Sequence, residues 1–196
     1  MKAIIPAFES FPQEAELVGA ILSGYSLLEF NLAQILRVAL QDDNTAVKLL
    51  YRTRGEEQRI SIADAILREK FSATPLYNTY CEAVADVHWC RRIRNQYAHC
   101  YWELQGKLLG GASGGLIFVN LDDVAQEHGN PNIFLHRKII TLTLLKSQAE
   151  YYLFVRSCLI HLYDSYSALL GKSPLHILPL PKKVARPLLD NGTAQK

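Results

Sequence analysis

The chain has 196 residues, enough for one domain with a sizeable core, or for one domain and a tail. With 49% hydrophobic and 20% charged residues it has the composition of an ordinary globular protein, and its net charge of +2 excludes a molecule that is basic throughout. Any nucleic-acid contact must therefore come from a local patch, and the cations are indeed clustered: Arg52, Arg54 and Arg59; Arg91, Arg92 and Arg94; Lys182, Lys183 and Arg186.

The four cysteines, Cys81, Cys90, Cys100 and Cys158, form no Cys-x-x-Cys pair, and three of them lie in apolar helical context. They read as free thiols in a reducing compartment rather than as a disulfide framework. The first residues are broken by Pro6, Glu9 and Pro12 and lack the pattern of a signal peptide. No uncharged apolar run reaches the ~18 residues of a membrane span. The expected location is cytoplasmic.

In chain order, residues 1–11 read as an extended lead-in, and Pro12 is well placed as the first residue of a helix that continues to about Leu40. Leu17, Ile21, Tyr25, Leu28, Leu32, Ile35 and Ala39 recur at spacings of four and three, with Val18, Leu22 and Leu36 widening the stripe. Glu29 falls inside this apolar region, so it either has a partner or a water-filled cleft, or lies at the edge of the stripe and reaches solvent. Asp42-Asp43-Asn44 ends the helix and offers a cap to a short one over 45–51. Gly55 breaks that helix, and Glu56 to Phe71 forms the next. Thr74-Pro75 is a start signal for a long helix with Tyr77, Cys81, Val84, Val87 (or His88), Arg91, Arg94 and Ala98 in its periodicity.

After this helix the pattern changes. Tyr101 to Leu109 mixes aromatic and branched residues, Gly110 to Gly115 reads as a flexible turn, and Leu116 to Leu121 is the best strand signal in the chain. A β-hairpin over about 101–122 is expected, packed on the helices. Residues 122–138 read as an irregular connection. A final helix spans about Thr141 to Leu170, lined by Leu144, Leu145, Ala149, Tyr152, Leu153, Arg156, Leu159, Ile160, Tyr163 and Tyr166, with Gly171 as its cap. The segment 172–196, with Pro174, Pro179, Pro181 and Pro187, is expected to be extended on the surface or on a partner, with a disordered end. The fold class is thus mainly α: an antiparallel bundle of four to five helices over residues 1–171, with one hairpin inserted after the long middle helix.

The chemistry concentrates in Cys90-Arg91-Arg92-Ile93-Arg94-Asn95-Gln96-Tyr97-Ala98-His99-Cys100. On a helix Asn95 and His99 share a face, and Arg92 lies on it two turns from His99. Arg94 is rotated from His99 by ~140°, at ~100° per residue. One copy of the stretch makes an imperfect site, and a two-fold dimer that unites two copies would complete it. Histidine moves protons near neutral pH, and arginine matches phosphate oxygens. No Asp/Glu cluster adjoins them in the sequence. The combination suits metal-independent cleavage of RNA by its own 2′-OH, with His99 as acid or base, Arg94 stabilising the phosphorane and Asn95 orienting either partner. Arg91 and Arg92 are candidate substrate-binding residues. A zinc site built on His88, Cys90, His99 and Cys100 does not fit the known ligand spacings, and His88 and Cys90 point to different sides of a helix; Gly110 to Gly115 lacks the Lys-Ser/Thr and helix start of a phosphate loop.

Arg94-Asn95-Gln96-Tyr97-Ala98-His99 resembles the Arg, polar residue, spacer, His signature of HEPN domains (higher eukaryotes and prokaryotes nucleotide-binding). Leu28-Glu29-Phe30 in the first helix and the aromatic start Tyr101-Trp102 after the signature extend the resemblance over roughly 15–170. It implies an α-helical homodimer whose two signatures face across a cleft, and for many members a metal-independent ribonuclease with no cofactor. Such members occur as toxins beside an antitoxin, often a nucleotidyltransferase, and in antiviral defence. Arg94, Asn95 and His99 are the implied catalytic residues, and Glu29 is a supporting carboxylate that could hold an arginine of the motif. Other members only bind nucleotides or proteins, so a non-catalytic helical module is the alternative.

Overall fold

A single helical turn, α1 (Ala7–Ser10), precedes Pro12, which opens the 29-residue α2 (Pro12–Leu40) where a missing N–H costs no hydrogen bond. The lead-in is therefore partly helical, with Ala7 buried. The computed structural model describes residues 4–103, 115–129, 132–172 and 177–191. It is 68% helical, with seven α-helices and one three-stranded antiparallel sheet among the described residues. Asp42 caps α3 (Asp43–Tyr51), its Oδ1 accepting from the backbone N–H of Asn44 and Thr45 at 2.9 and 3.1 Å. Hydrogen bonding, first from the Thr45 hydroxyl, holds the Asp42 carboxyl below the usual carboxylate range. Gly55, at φ 90°, allows the sharp entry into α4 (Glu56–Phe71). Thr74 and Pro75 form a turn in which the Thr74 hydroxyl accepts from the Leu76 N–H at 3.3 Å, and α5 (Tyr77–Ala98) starts just after it.

β1 (Cys100–Glu103) pairs antiparallel with β2 (Gly115–Asn120), as the hairpin expectation has it; residues 104–114, with most of the expected turn, lie outside the described residues. A third strand corrects the rest. β3 (Arg137–Thr141) pairs with the other edge of β2, Gly115 opposite Thr141 and Val119 opposite Arg137, so the hairpin is part of a sheet in the order β1-β2-β3. The connection read as irregular carries α6 (Leu121–Ala125), capped by the Asn120 side chain, and a 3-10 turn over Ile133–His136. The last helix, α7 (Leu142–Leu169), ends with Gly171 at φ 72°; Lys172 and Gly171 donate to the carbonyls of Ser167 and Ala168, both at 3.0 Å, closing a Schellman cap.

The chain divides into two compact units. One gathers Met1–Ser23, Arg92–Glu150 and Pro187–Lys196. Its core joins Phe8, Tyr97, Trp102 and Phe118, with neighbouring ring centroids 5.2–5.8 Å apart. All six residues of β2 are buried, as a central strand requires.

The other unit comprises Gly24–Arg91 and Tyr151–Arg186. Phe71 stacks on Tyr80 and on Tyr166, at 4.6 and 4.5 Å between centroids. The Tyr80 hydroxyl donates to Asp64 at 3.0 Å, and the Tyr152 hydroxyl donates to the Cys90 carbonyl at 2.6 Å. Two stripes need correction. On α5 the buried residues of this unit are Tyr80, Ala83, Val84, Asp86, Val87 and Cys90, so Tyr77, Cys81 and Arg91 lie on its half-buried flank. On α7 within this unit the buried residues are Tyr151, Tyr152, Val155, Cys158, Leu159, Leu162, Tyr166 and Ser167, whereas Leu153 and Arg156 are exposed; Leu144 and Leu145, in the first unit, are buried as read.

Candidate active site at the end of α5

The signature occupies the last turn of α5 and the residue after it. Ile93, Gln96 and Tyr97 are buried, which turns Arg92 and His99 to solvent and leaves Arg94 and Asn95 half-buried. Ala98 ends the helix, and His99 stands in the turn that feeds β1. The turn is fixed by its backbone: the His99 carbonyl accepts from the Leu121 N–H at 2.9 Å. Next to it the Cys100 thiol donates to the Tyr97 carbonyl at 3.1 Å, and burial pushes that thiol up to about 12.

Arg94 and Asn95 are brought together, Nη1 of the guanidinium donating to Oδ1 of the amide at 3.1 Å. That contact engages the amide oxygen and leaves the NH2 group as the donor of this side chain. His99 is not tied to either residue: among the described residues its ring makes no hydrogen bond or ion pair, so both nitrogens are available for proton transfer. Arg92 is exposed on the same end of the helix.

Arg91 belongs to the other unit, where it pairs with Glu57, and His88 Nδ1 lies 3.7 Å from the same carboxylate. Its charge is committed to that pair. Glu29 is held by Arg59, whose Nη1 reaches its two oxygens at 3.2 and 3.3 Å while Nε donates to the Thr53 carbonyl at 3.0 Å. Of the two readings of Glu29, a carboxylate with a partner is the one the structure supports. That partner comes from the arginine cluster around Arg54. The Arg59 guanidinium also sits 5.9 Å from the centre of the Tyr51 ring.

The described residues contain no cluster of three or more His, Cys, Asp or Glu side chains arranged as a metal site. No helix among them is long and apolar enough to cross a membrane. A cleft of about 330 Å³ in the second unit is lined by Glu82, Asp86, Phe154, Cys158, Pro181 and Lys183, among others. Its carboxylates already have partners: Lys183 bonds Glu82 at 2.9 Å and Arg186 bonds Asp86 at 2.8 Å.

Two buried amides, Gln148 and Gln96, escaped the reading of the sequence. Gln148 is fully buried on α7, three residues after Leu145 and four before Tyr152. A polar residue at an apolar-stripe position was the available signal, because such a group must be hydrogen-bonded. No family model matches the chain, and no curated protein or solved structure matches it.

Proposed function

We propose that the chain is a metal-independent endoribonuclease of the HEPN type, with an antiparallel helical bundle as its scaffold. The observation that supports this reading is the end of α5, where the Arg94–Asn95 pair stands beside an exposed, unpartnered His99. In the reaction, His99 takes the proton of a ribose 2′-OH as the oxygen attacks the adjacent phosphorus. The new P–O2′ bond forms, the P–O5′ bond breaks, and a protonated imidazole supplies the proton to the leaving 5′-oxygen. The products are a 2′,3′-cyclic phosphate and a 5′-hydroxyl, and DNA, which lacks the 2′-OH, is not cleaved. Arg94 stabilises the charge on the phosphorane, Asn95 orients a phosphate oxygen, and the exposed Arg92 holds the RNA backbone.

One proton carrier serves one end of this exchange, and no hydrogen bond couples His99 to Arg94. A two-fold homodimer supplies the second histidine and the second arginine, one acting on each side of the scissile phosphate. Membership in a toxin or defence pair, with an antitoxin such as a nucleotidyltransferase, is the biological setting this activity fits. The test is cleavage of single-stranded RNA by the full chain in EDTA. Activity that persists, releases cyclic phosphate and is lost in His99→Ala supports the proposal. His99→Ala cleaving as fast as the parent, or activity abolished by the chelator, overturns it.

The same lack of a bond between His99 and the Arg94–Asn95 pair also favours a second reading. A non-catalytic module would use the exposed arginine and amide to bind a nucleotide or protein without turnover, and a monomer that binds RNA but leaves it intact would establish this.

A further inference from the structure

Behind the signature, Gln148 makes three hydrogen bonds with no solvent access. It accepts from the Tyr97 hydroxyl at 2.7 Å and donates to the carbonyls of Leu188 and Leu189 at 2.8 and 2.9 Å. Gln96 donates to the same Leu189 carbonyl. Gln96 and Tyr97 are two of the three spacer residues between Asn95 and His99, so the inward side of the signature is bonded to the C-terminal segment, directly and through Gln148. The segment is itself anchored further on. The Asn191 N–H donates to the Ile139 carbonyl at 3.1 Å, its side-chain oxygen accepts from the Thr141 N–H at 2.9 Å, and Asp190 pairs with Lys138 at 3.4 Å. These residues all belong to one compact unit. The Pro-rich tail therefore supplies acceptors for two buried amides that would otherwise carry a desolvation cost.

We infer that Gln148 and the segment Pro187–Asn191 position the Arg94/Asn95/His99 signature, acting through Gln96 and Tyr97 without touching the substrate. The inference rests on the ribonuclease reading for its effect on turnover, but its structural arm does not. A tail that merely covered surface would bond through exposed side chains; here the acceptors are backbone carbonyls and the donors are buried amides on the signature helix and on α7. Such an arrangement is matched to geometry, not to sequence, and it fixes the rotation of the last turn of α5 from which His99 emerges.

The experiment uses the full chain with Gln148→Met and, separately, Gln96→Met, each nearly volume-conserving and each removing the donors to the tail. Folding is checked by circular dichroism. Amide exchange at 187–191 and at 94–99 is then measured, with the imidazole resonances and titration of His99 by NMR, and kcat and KM on single-stranded RNA. The expected result for Gln148→Met is faster exchange in both segments, shifted His99 resonances, and kcat lowered about tenfold with KM little changed. Gln96→Met moves the same readouts less. Leu67→Ala, a destabilising change in the α4 core, leaves the His99 resonances in place.

If Gln148→Met does not fold, Gln96→Met decides. Unchanged exchange at 94–99 and unchanged His99 resonances in a folded variant overturn the inference. A parent that cleaves no RNA overturns the enzymatic reading alone, because the exchange and resonance measurements still report whether the tail holds the signature.

Discussion

Arg94 donates from Nη1 to Oδ1 of Asn95 at 3.1 Å, so two members of the signature are bonded to each other while the third, His99, stands apart. If the productive site takes its arginine from one copy and its histidine from the other, the two residues can be supplied by different chains. Arg94→Ala and His99→Ala homodimers should each lose ~10²–10⁴ of the cleavage rate. Mixing and reannealing the two variants should restore only part of the rate in the heterodimer, which keeps one Arg94 and one His99 and so one of the two proton carriers. Single-stranded RNA cleavage measured before and after subunit exchange checks this. Mixtures that stay as inactive as the separate variants would show that Arg94 and His99 of different chains do not complement one another.

The Glu29–Arg59 pair gives a stability prediction with no dependence on function. Its side chains are 13% and 27% exposed, and Arg59 also satisfies the Thr53 carbonyl. Glu29→Gln leaves a guanidinium with less compensation in a poorly solvated place and should cost ~1.5–3 kcal/mol. Arg59→Met should cost a similar amount, and the double variant less than the two together, since each single change strands a partner. Urea unfolding of the four proteins measures the coupling. Additive costs would mean that the pair is not an interacting unit.

Much of the helical layout was legible because its signals are local. Pro12, the Asp42 cap, Gly55 and Gly171 each mark a boundary through their own backbone chemistry, and Ile21, Tyr25, Leu28, Leu32, Ile35, Leu36 and Ala39 of the α2 stripe are all buried, with Ala33 and Val38 added to them. β3 was not legible: Arg137-Lys138-Ile139-Ile140-Thr141 is short and runs directly into α7, and only pairing with β2 selects the strand. On α5 the phase was found only in part: Val84 and Val87 are buried as read, whereas Tyr80, Cys90 and Tyr97 take the core in place of Tyr77, Cys81 and Ala98. The signature was visible as residues, whereas the hydrogen bonds from Gln96 and Gln148 to Leu188 and Leu189 join segments far apart in sequence and carry no local trace.

The thiols predict a pH dependence. Burial raises the Cys90 thiol, with the Asp86 carboxylate adding to the effect; burial likewise pushes Cys158 up to about 11 and Cys100 up to about 12. At pH 8 a thiol at about 11 is ionised in about one molecule in a thousand, so all three should resist iodoacetamide in the folded protein and react in urea. The linkage has a definite sign. An unfolded cysteine ionises near ~8.5, below the folded values, so the unfolded state releases protons first as pH rises. Stability should be unaffected by these groups below about pH 8 and should fall progressively between there and the folded values. Urea midpoints at several alkaline pH values, compared with a Cys158→Ala/Cys100→Ala variant, measure the slope. A parent slope no steeper than that of the variant would assign the alkaline loss to other groups.

Two glycine-to-alanine substitutions should act with opposite signs. A Cβ on Gly115 would lie 2.7 Å from Cγ2 of Ile139 and 2.8 Å from the carbonyl oxygen of Ile140. The isoleucine side chain can move, but the carbonyl belongs to the strand paired with β2 and can retreat only by opening the sheet. Gly115→Ala should therefore cost ~1–3 kcal/mol, the range for overpacking a closed site. Gly19 is exposed within α2, and a Cβ there would meet nothing within 4 Å. Gly19→Ala removes only the conformational freedom of the unfolded chain and should stabilise by ~0.8–1 kcal/mol. Thermal and urea unfolding of both variants give the two signs. A neutral Gly115→Ala would mean that β2 and β3 are not in the register that sets Gly115 opposite Thr141, because in that register the strand behind it leaves no room for a methyl group.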